Sequence, residues 1–450
     1  MKLFRRLIPL ETALKTVLSY ADRDGIRTEI EDIGFEAAMN RVLAEDVYSP
    51  IDSPPFDRAA MDGYAIRGED SFGASPGKPV VLKINNSGSA SGSGSISSSE
   101  CIPIATGMPM PEGCNAVVML EYTKKSGDGD RLEIFRPVTP GKNVSFKGED
   151  VKKGGIVLKA GKILLAHDVG MLASLFKRRV KVYKRAKIGI LSTGDELIDP
   201  NLALPLPLPV PEHERRNGDI AIPIADANSY LLSALTGKIA SPYRMGIVDD
   251  DYDKIKDAIR SSLEGAGTET GAGAVSCDGL LVSGGSSVGE RDFLADVIED
   301  LANQDQRSEK FDGGLIFHGV AIRPGEPVGF GIVNSKPVFL LPGYPVAAIS
   351  AFELLVRPFL YRMHGIKYGQ RKIFNRAITT KKIASTIGRT DFVRVRVFRT
   401  GSEFYAEPIR VSGSGILSSM TKSDGFVVIA ENKEGIAEGE QVVVTEYSEL

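Results

Sequence analysis

The chain has 450 residues, 42% of them hydrophobic and 25% charged, with a formal net charge of −3. That length exceeds one compact domain and implies roughly three or four. The balanced charge excludes a broad basic face for nucleic acid or an anionic membrane, though not a local grip on a small anion. Three cysteines and four histidines are too few and too scattered for a disulfide framework or a zinc cage, so any metal is expected to be a hard ion held by carboxylates.

The opening MKLFRRLIPLETALKTVLSY sets basic residues before an apolar run, as a signal peptide does, but Pro9, Glu11 and Lys15 interrupt it. Leu10, Ala13, Leu14, Val17 and Leu18 instead share one helical face. No stretch approaches the roughly 18 consecutive apolar residues of a membrane span, and a cytoplasmic protein is expected. Residues 1–45 read as helical, and 46–146 as short strands broken by Gly, Pro and Ser, including the low-complexity NNSGSASGSGSISSSE. LLAHDVGMLASLF, residues 164–176, returns to helical spacing.

Near residue 186 strands begin to alternate with helices: AKIGILSTGDEL, NSYLLSALTG, YRMGIVDDD, DYDKIKDAIRSSLEGA, DGLLVSGGSSVGERD, DFLADVIEDLAN and KPVFLLPGYPVAAISAFELLVRPFL. This alternation means βαβ units and a mostly parallel sheet. LALPLPLPVPEHERR and GAGTETGAGA interrupt it as surface insertions. Beyond residue 372, FVRVRVF, FVVIA and EQVVVTEY are the short strands of a small barrel or sandwich.

Ligands of open α/β sheets bind outside the carboxyl ends of the strands. Here those ends carry STGDEL (192–197), VDDD (248–251), SGGSSVGERD (283–292) and LPGYP (341–345), which should converge on one edge. Gly284 and Gly285 would let backbone amides approach a phosphate or oxyanion, with Ser286 and Ser287 adding hydroxyls. Glu196, Asp250 and Asp292 could hold magnesium between phosphates. Plainer readings remain open for each. A GG pair makes tight turns, Asp195 and Glu196 suit a helix N-terminus, VDDD suits a solvated helix start, and Pro342 and Pro345 suit a strand stop and a helix start. Arg323, before a proline, should be extended; Arg394 and Arg396 could be a solvated strand edge, Ser414 a turn cap and His318 a core histidine. In SPPFDRAAMDGYAIRGED, residues 53–70, Asp62 is either part of a strand-entry loop or an acid held out for use.

Taken in order, PPFDRAAMDGYAIRGED, IATGMPMPEG, KGEDVKKGG, ILSTGDEL, DANSYLL, SGGSSVGERDF, AIRPGEPVGFG and LPGYPVAAISAFE resemble the molybdopterin molybdenumtransferase family, which includes MoeA and the E domain of gephyrin. The resemblance implies an elongated multidomain α/β plus β subunit in four parts. These are a helical connecting domain (1–45 and 147–181), a β-rich domain (46–146), a three-layer molybdopterin-binding α/β domain (182–372) with a mostly parallel sheet, and a C-terminal β-barrel (373–450). It implies a homodimer with its active site at the subunit interface. The implied reaction takes adenylylated molybdopterin and molybdate with Mg²⁺, hydrolyses the adenylate, and yields molybdenum cofactor and AMP. A molybdopterin adenylyltransferase is the implied upstream partner.

Carried onto this chain, the resemblance makes Asp62, Thr106, Glu196, Asp292 and Arg323 catalytic, with Asp62 and Thr106 serving the partner's site. It makes Thr193, Gly194, Asp195, Asp226, Asn228, Ser229, Gly284, Gly285, Ser286, Ser287, Pro342, Gly343, Pro345, Arg394 and Ser414 the substrate-binding set, and Glu196 and Asp292 metal ligands, to which the reading of the residues adds Asp250. The chain departs from the family pattern at Tyr344 (PGYP for PGNP), at GGSS for GGVS, and at Gly319, where a base is usual; tungstate is the alternative oxyanion. The rival functions are a molybdopterin adenylyltransferase, which would not need residues 1–180, and a gephyrin-like scaffold, whose fused upstream domain is not in this sequence. A degenerate paralogue that binds pterin without inserting metal is a third reading, suggested by Gly319.

Overall fold

The computed structural model describes residues 7–86, 95–127, 129–202, 224–265, 275–284, 293–304, 313–366, 373–409 and 415–447, with backbone alone at 373–375. The chain forms two compact units, 32–182 and a second made of 1–31 with 183–450.

Within the first unit, a six-stranded sheet runs in the order Ala116–Met119, Gly63–Ile66, Glu100–Ile104, Val80–Ile84, Arg131–Ile134, Thr123–Lys125. All pairings are antiparallel except the central one between Val80–Ile84 and Glu100–Ile104. Its core gathers Tyr64, Ile66, Leu82, Val118, Leu132 and Ile134. A second core brings Leu43 and Val47 against Leu158, Leu164, Leu172 and Val182, so segments on either side of the sheet close on each other. The expected helix is present as Ala166–Ser174, where the Asp168 carboxylate accepts from the Leu165 amide at 2.9 Å.

Among the described residues, the expectation that 1–45 are helical holds for Leu10–Ala21; Ile30–Gly34 is a strand and Phe35–Ala37 a single 3-10 turn. Ile30 and Ile33 are β-branched and Gly34 is a poor helix former, so the local preference favours extension.

The second unit contains a six-stranded sheet ordered Ser241–Val248, Lys187–Thr193, Gly279–Ser283, Lys336–Leu341, Gly329–Val333, Gly314–His318. The first four strands are parallel and the last two are added antiparallel. Alternation along Lys336–Leu341 sends Val338 and Leu340 into one core with Ile255, Ile259, Val297 and Ile298 of the helices Tyr252–Glu264 and Leu294–Gln304. Phe339 faces the other way, where it meets Phe330 at 4.8 Å and Phe359 at 5.2 Å between ring centroids; Tyr20 joins through Phe330 at 5.5 Å. Burying each such side chain contributes about 2 kcal/mol. Helices on both faces give the three-layer sandwich that the βαβ pattern predicts.

Pro345–Ala351, a π-helical turn Phe352–Val356 and Arg357–Met363 continue one another. Glu353 of the π turn and Arg357 of the next helix are both buried, and Arg357 donates to the Glu353 carboxylate through two bonds of 2.9 and 2.7 Å. The C-terminal strands close a five-stranded barrel: Thr390–Thr400 pairs with Glu403–Pro408, then Ile373–Thr379, Gln441–Glu446 and Gly425–Ile429, which returns to Thr390–Thr400. Ile322–Arg323 adds to Thr390–Thr400 in parallel. No helix among the described residues is long and apolar enough to cross a membrane.

Candidate functional site

Four parallel strands deliver their carboxyl ends to one edge, and the loops there are tied to one another. The Gly194 amide donates to the Val248 carbonyl at 3.1 Å, the Asp250 amide to Asp195 Oδ1 at 2.9 Å, and the Gly284 amide to the Leu341 carbonyl at 3.3 Å. Asn228, in the first turn of the helix Ala227–Gly237, donates from Nδ2 to both Ser283 Oγ at 2.8 Å and the Gly343 carbonyl at 2.7 Å. The convergence expected of STGDEL, VDDD, SGG and PGYP is therefore physical contact, with Asn228 as its clasp.

Gly284 has φ +115°, and a Cβ added there would lie 2.1 Å from the Thr193 carbonyl oxygen. Only glycine fits, for backbone conformation and for space. A Cβ on Gly343 would lie 3.6 Å from the Gly284 Cα, so two backbone segments meet here without side chains between them. Beside them three buried polar atoms, Ser192 Oγ, Thr193 Oγ1 and Asn228 Oδ1, have no hydrogen-bond partner among the described residues. Buried polar groups are rarely left so, which makes this edge the candidate place for a polar ligand.

The acids divide by role. Asp226 caps the helix Ala227–Gly237, its Oδ1 accepting from the Ser229 amide at 3.0 Å, so Asp226 and Ser229 both have a structural explanation worth about 1 kcal/mol. In VDDD, Asp251 caps the helix Tyr252–Glu264 and Asp249 pairs with Lys254. Asp250 lies against Asp195 through the bond above. The Glu196 carboxylate folds back on its own loop, 2.9 Å from where a Gly194 Cβ would be. Pro345 stands at the start of its helix, behind Pro342 and Gly343. Among the described residues no three His, Cys, Asp or Glu side chains group as a metal site. Asp292, Gly285, Ser286, Ser287 and Ser414 lie outside the described residues.

The two arginines behave differently. Arg323, half-exposed on Ile322–Arg323, forms a short ion pair with buried Asp391. Arg394 is 8% exposed, and its Nε and Nη1 have no hydrogen-bond partner among the described residues. Burial pushes its guanidinium below the ordinary value, with Tyr447 acting the other way. The solvated-edge reading fits Arg396, which is exposed, and not Arg394. His318 is held below its usual value by burial, against a backbone hydrogen bond to Pro327; desolvation thus disfavours a charged imidazole beside Gly319. Burial raises all three thiols, Cys101 and Cys114 to about 12 and Cys277 to about 11, which removes them as nucleophiles at neutral pH.

Asp62 lies in the unit 32–182, exposed, immediately before Gly63–Ile66. A Cβ on Gly63 would lie 1.9 Å from the Val118 carbonyl oxygen, so the chain behind Asp62 presses directly on the next strand. Asp62 Oδ1 accepts from the Thr106 amide at 2.7 Å and its hydroxyl at 2.8 Å. Those bonds, the amide first, hold the carboxyl below its usual range. The two residues that the resemblance paired are thus one hydrogen-bonded unit, which favours the held-acid reading over the plain loop.

The same arrangement of parts is found in known proteins. The MoeA N-terminal region (domain I and II) matches residues 8–176, a probable molybdopterin binding domain matches 189–362, and the MoeA C-terminal region (domain IV) matches 376–447. A molybdopterin biosynthesis protein of Methanocaldococcus jannaschii is 39% identical over 449 residues, covering 99% of each chain. The chain belongs to the MoeA family of molybdopterin molybdenumtransferases. A molybdopterin molybdenumtransferase of Haemophilus influenzae is 30% identical over 94% of this chain and 95% of its own. The crystal structure of a MoeA protein from Pyrococcus horikoshii OT3 superposes with a TM-score of 0.76 at 33% identity, covering 98% of this chain and 100% of that one. Membership in the MoeA family makes the chain a transferase of molybdenum cofactor biosynthesis.

Several residues of this MoeA-family site carry no signal of their own in the sequence. Ser192 and Ser283 sit inside quoted strand-end motifs but were not separable from strand residues. Asp391 gives no cue that it neutralises Arg323, 68 residues earlier.

Proposed function

We propose that the chain inserts molybdate into adenylylated molybdopterin with Mg²⁺-dependent hydrolysis of the adenylate, releasing AMP. The observation that carries this reading is the strand-end edge, where Gly284 and Gly343 leave the backbone bare near Ser192 Oγ, Thr193 Oγ1 and Asn228 Oδ1, which have no partner among the described residues. The hydroxyls can donate to phosphate oxygens, the Asn228 carbonyl can accept from a ring N–H, and Arg394 supplies a desolvated cation for an anionic group. In the hydrolysis one water oxygen bonds to one phosphorus of the anhydride as the bridging oxygen leaves with the other. The Thr106 bonds keep Asp62 ionised, suited to orient or deprotonate an attacking group.

Mg²⁺ characteristically binds through one or two carboxylates plus substrate phosphates, and Glu196 and Asp250, with Asp292, fit that role. Bound there, it would neutralise charge on the phosphate oxygens. We assign Asp62 and Thr106 to the site of a partner subunit in a homodimer, and a molybdopterin adenylyltransferase as the source of the substrate. A cytoplasmic setting suits that supply. Tungstate is the alternative oxyanion, because the family's usual base is absent at Gly319 and desolvation disfavours a charge on the half-buried His318 beside it.

The test is incubation of purified protein with adenylylated molybdopterin, Mg²⁺ and molybdate or tungstate. AMP release together with cofactor that activates an apo-molybdoenzyme is expected. Neither product would leave a pterin-binding paralogue or a scaffold, and ATP-dependent adenylylation of molybdopterin would favour the adenylyltransferase.

A further inference from the structure

Tyr344 stands at the centre of the strand-end edge without a structural task. It follows Gly343, whose carbonyl is held by Asn228 at 2.7 Å and which lies against Gly284. It precedes the helix Pro345–Ala351 as its N-cap, yet its side chain makes no capping bond. A large aromatic ring in this position is 63% exposed, whereas the neighbouring residues Val346 to Ala351 are buried.

The ring has a described neighbour: a Cβ on Gly415 would lie 3.4 Å from its Cδ1 and 3.7 Å from its Cε1, ordinary van der Waals distances, so Gly415 lies beside the ring. On the barrel, the Ile409 amide donates to the carbonyl of the desolvated Arg394 at 3.0 Å. The polar groups on this edge suit the charged end of a ligand; the ring suits a flat one.

We propose that Tyr344 is a stacking residue for a flat heteroaromatic ring of the substrate. The inference rests on the proposed reaction, whose substrate carries two such rings, pterin and adenine. Stacking on an aromatic side chain is tolerant of ring identity, and alanine substitution removes about tenfold or more in affinity per ring. Tyr344 acts here through its ring and not its hydroxyl, so phenylalanine should serve as well.

Affinities for a simple 6-substituted pterin, for AMP and for adenylylated molybdopterin would be measured on wild type, Tyr344→Phe and Tyr344→Ala. The chain contains no tryptophan, so quenching of pterin fluorescence can be read directly. Tyr344→Ala should bind adenylylated molybdopterin about tenfold more weakly, and Tyr344→Phe should match wild type. A loss confined to the pterin, with its quenching abolished, assigns the ring to pterin; a loss confined to AMP assigns it to adenine. Unchanged affinities in Tyr344→Ala overturn the stacking role alone, as does equal loss in Tyr344→Phe. A loss that sedimentation traces to subunit dissociation overturns it too. Wild-type protein that binds none of the three ligands overturns the proposed reaction, and the stacking role with it.

Discussion

The strand-end edge and the Asp62 turn use polar groups in opposite ways. At the edge, hydroxyls and an amide oxygen are buried and lack partners among the described residues; at the turn, a carboxylate is exposed and doubly hydrogen-bonded by Thr106. The first arrangement is unfinished without a ligand, since unpaired buried polar atoms are costly. The second is finished in itself and offers a fixed charge outward. On the proposed function, a binding surface and a presented catalytic group leave different marks in a structure, and only the first shows up as polar atoms in want of partners.

Glycine substitutions sharpen that contrast most. Gly284→Ala should destabilise the fold by about 3 kcal/mol or more, because positive φ and overlap with the Thr193 carbonyl add. Gly107, beside Thr106, also has positive φ (+86°) but has nothing within 4 Å of an added Cβ. Gly107→Ala should cost only about 1 kcal/mol. Urea midpoints compare the two, and equal costs would mean that the edge is no tighter than the turn.

Asn228→Ala removes two donors and leaves Ser283 Oγ and the Gly343 carbonyl unsatisfied, an expected loss of about 2 kcal/mol, read by the same unfolding. Molybdopterin affinity should fall with it as the Gly343 loop is released; unchanged affinity would show that the clasp is not part of the site. Thr106→Val keeps the amide bond to Asp62 but loses the hydroxyl bond. The Asp62 pKa should rise toward its ordinary value, moving the acid limb of kcat/KM upward in pH, and an unmoved limb would separate Asp62 from the chemistry.

The smallest effect is expected at His318, far from both contrasts in chemistry. Its depressed pKa gives stability that is present above the ordinary histidine value and lost as pH falls through that value toward the lowered one. His318→Gln should flatten that acid-side loss in thermal melts recorded across pH, and an unchanged slope would remove His318 as its source.

The strand-end edge was legible because glycines after apolar runs mark both the fold and the site, so STGDEL, SGG and PGYP could be placed together without side-chain coordinates. The barrel was legible from the alternation of FVRVRVF. The burial of Arg394 was not, because alternation separates two faces of a strand but does not say whether an outer barrel face is covered. Nor could Asp226 be recognised as chiefly a cap: the pattern of a cap and that of a ligand-binding acid before a helix are the same. The strand Ile30–Gly34 is not legible as a strand, because a short charged segment carries no clear period.

The division of labour between the two regions is tested most directly with Asp62→Ala. Binding of adenylylated molybdopterin and release of AMP would be measured on the same samples, alongside wild type. Affinity within a few fold of wild type, with AMP release abolished, is the expected result. Loss of affinity in proportion to loss of AMP, or loss of the folded state, would contradict it and make the Asp62 turn a structural element.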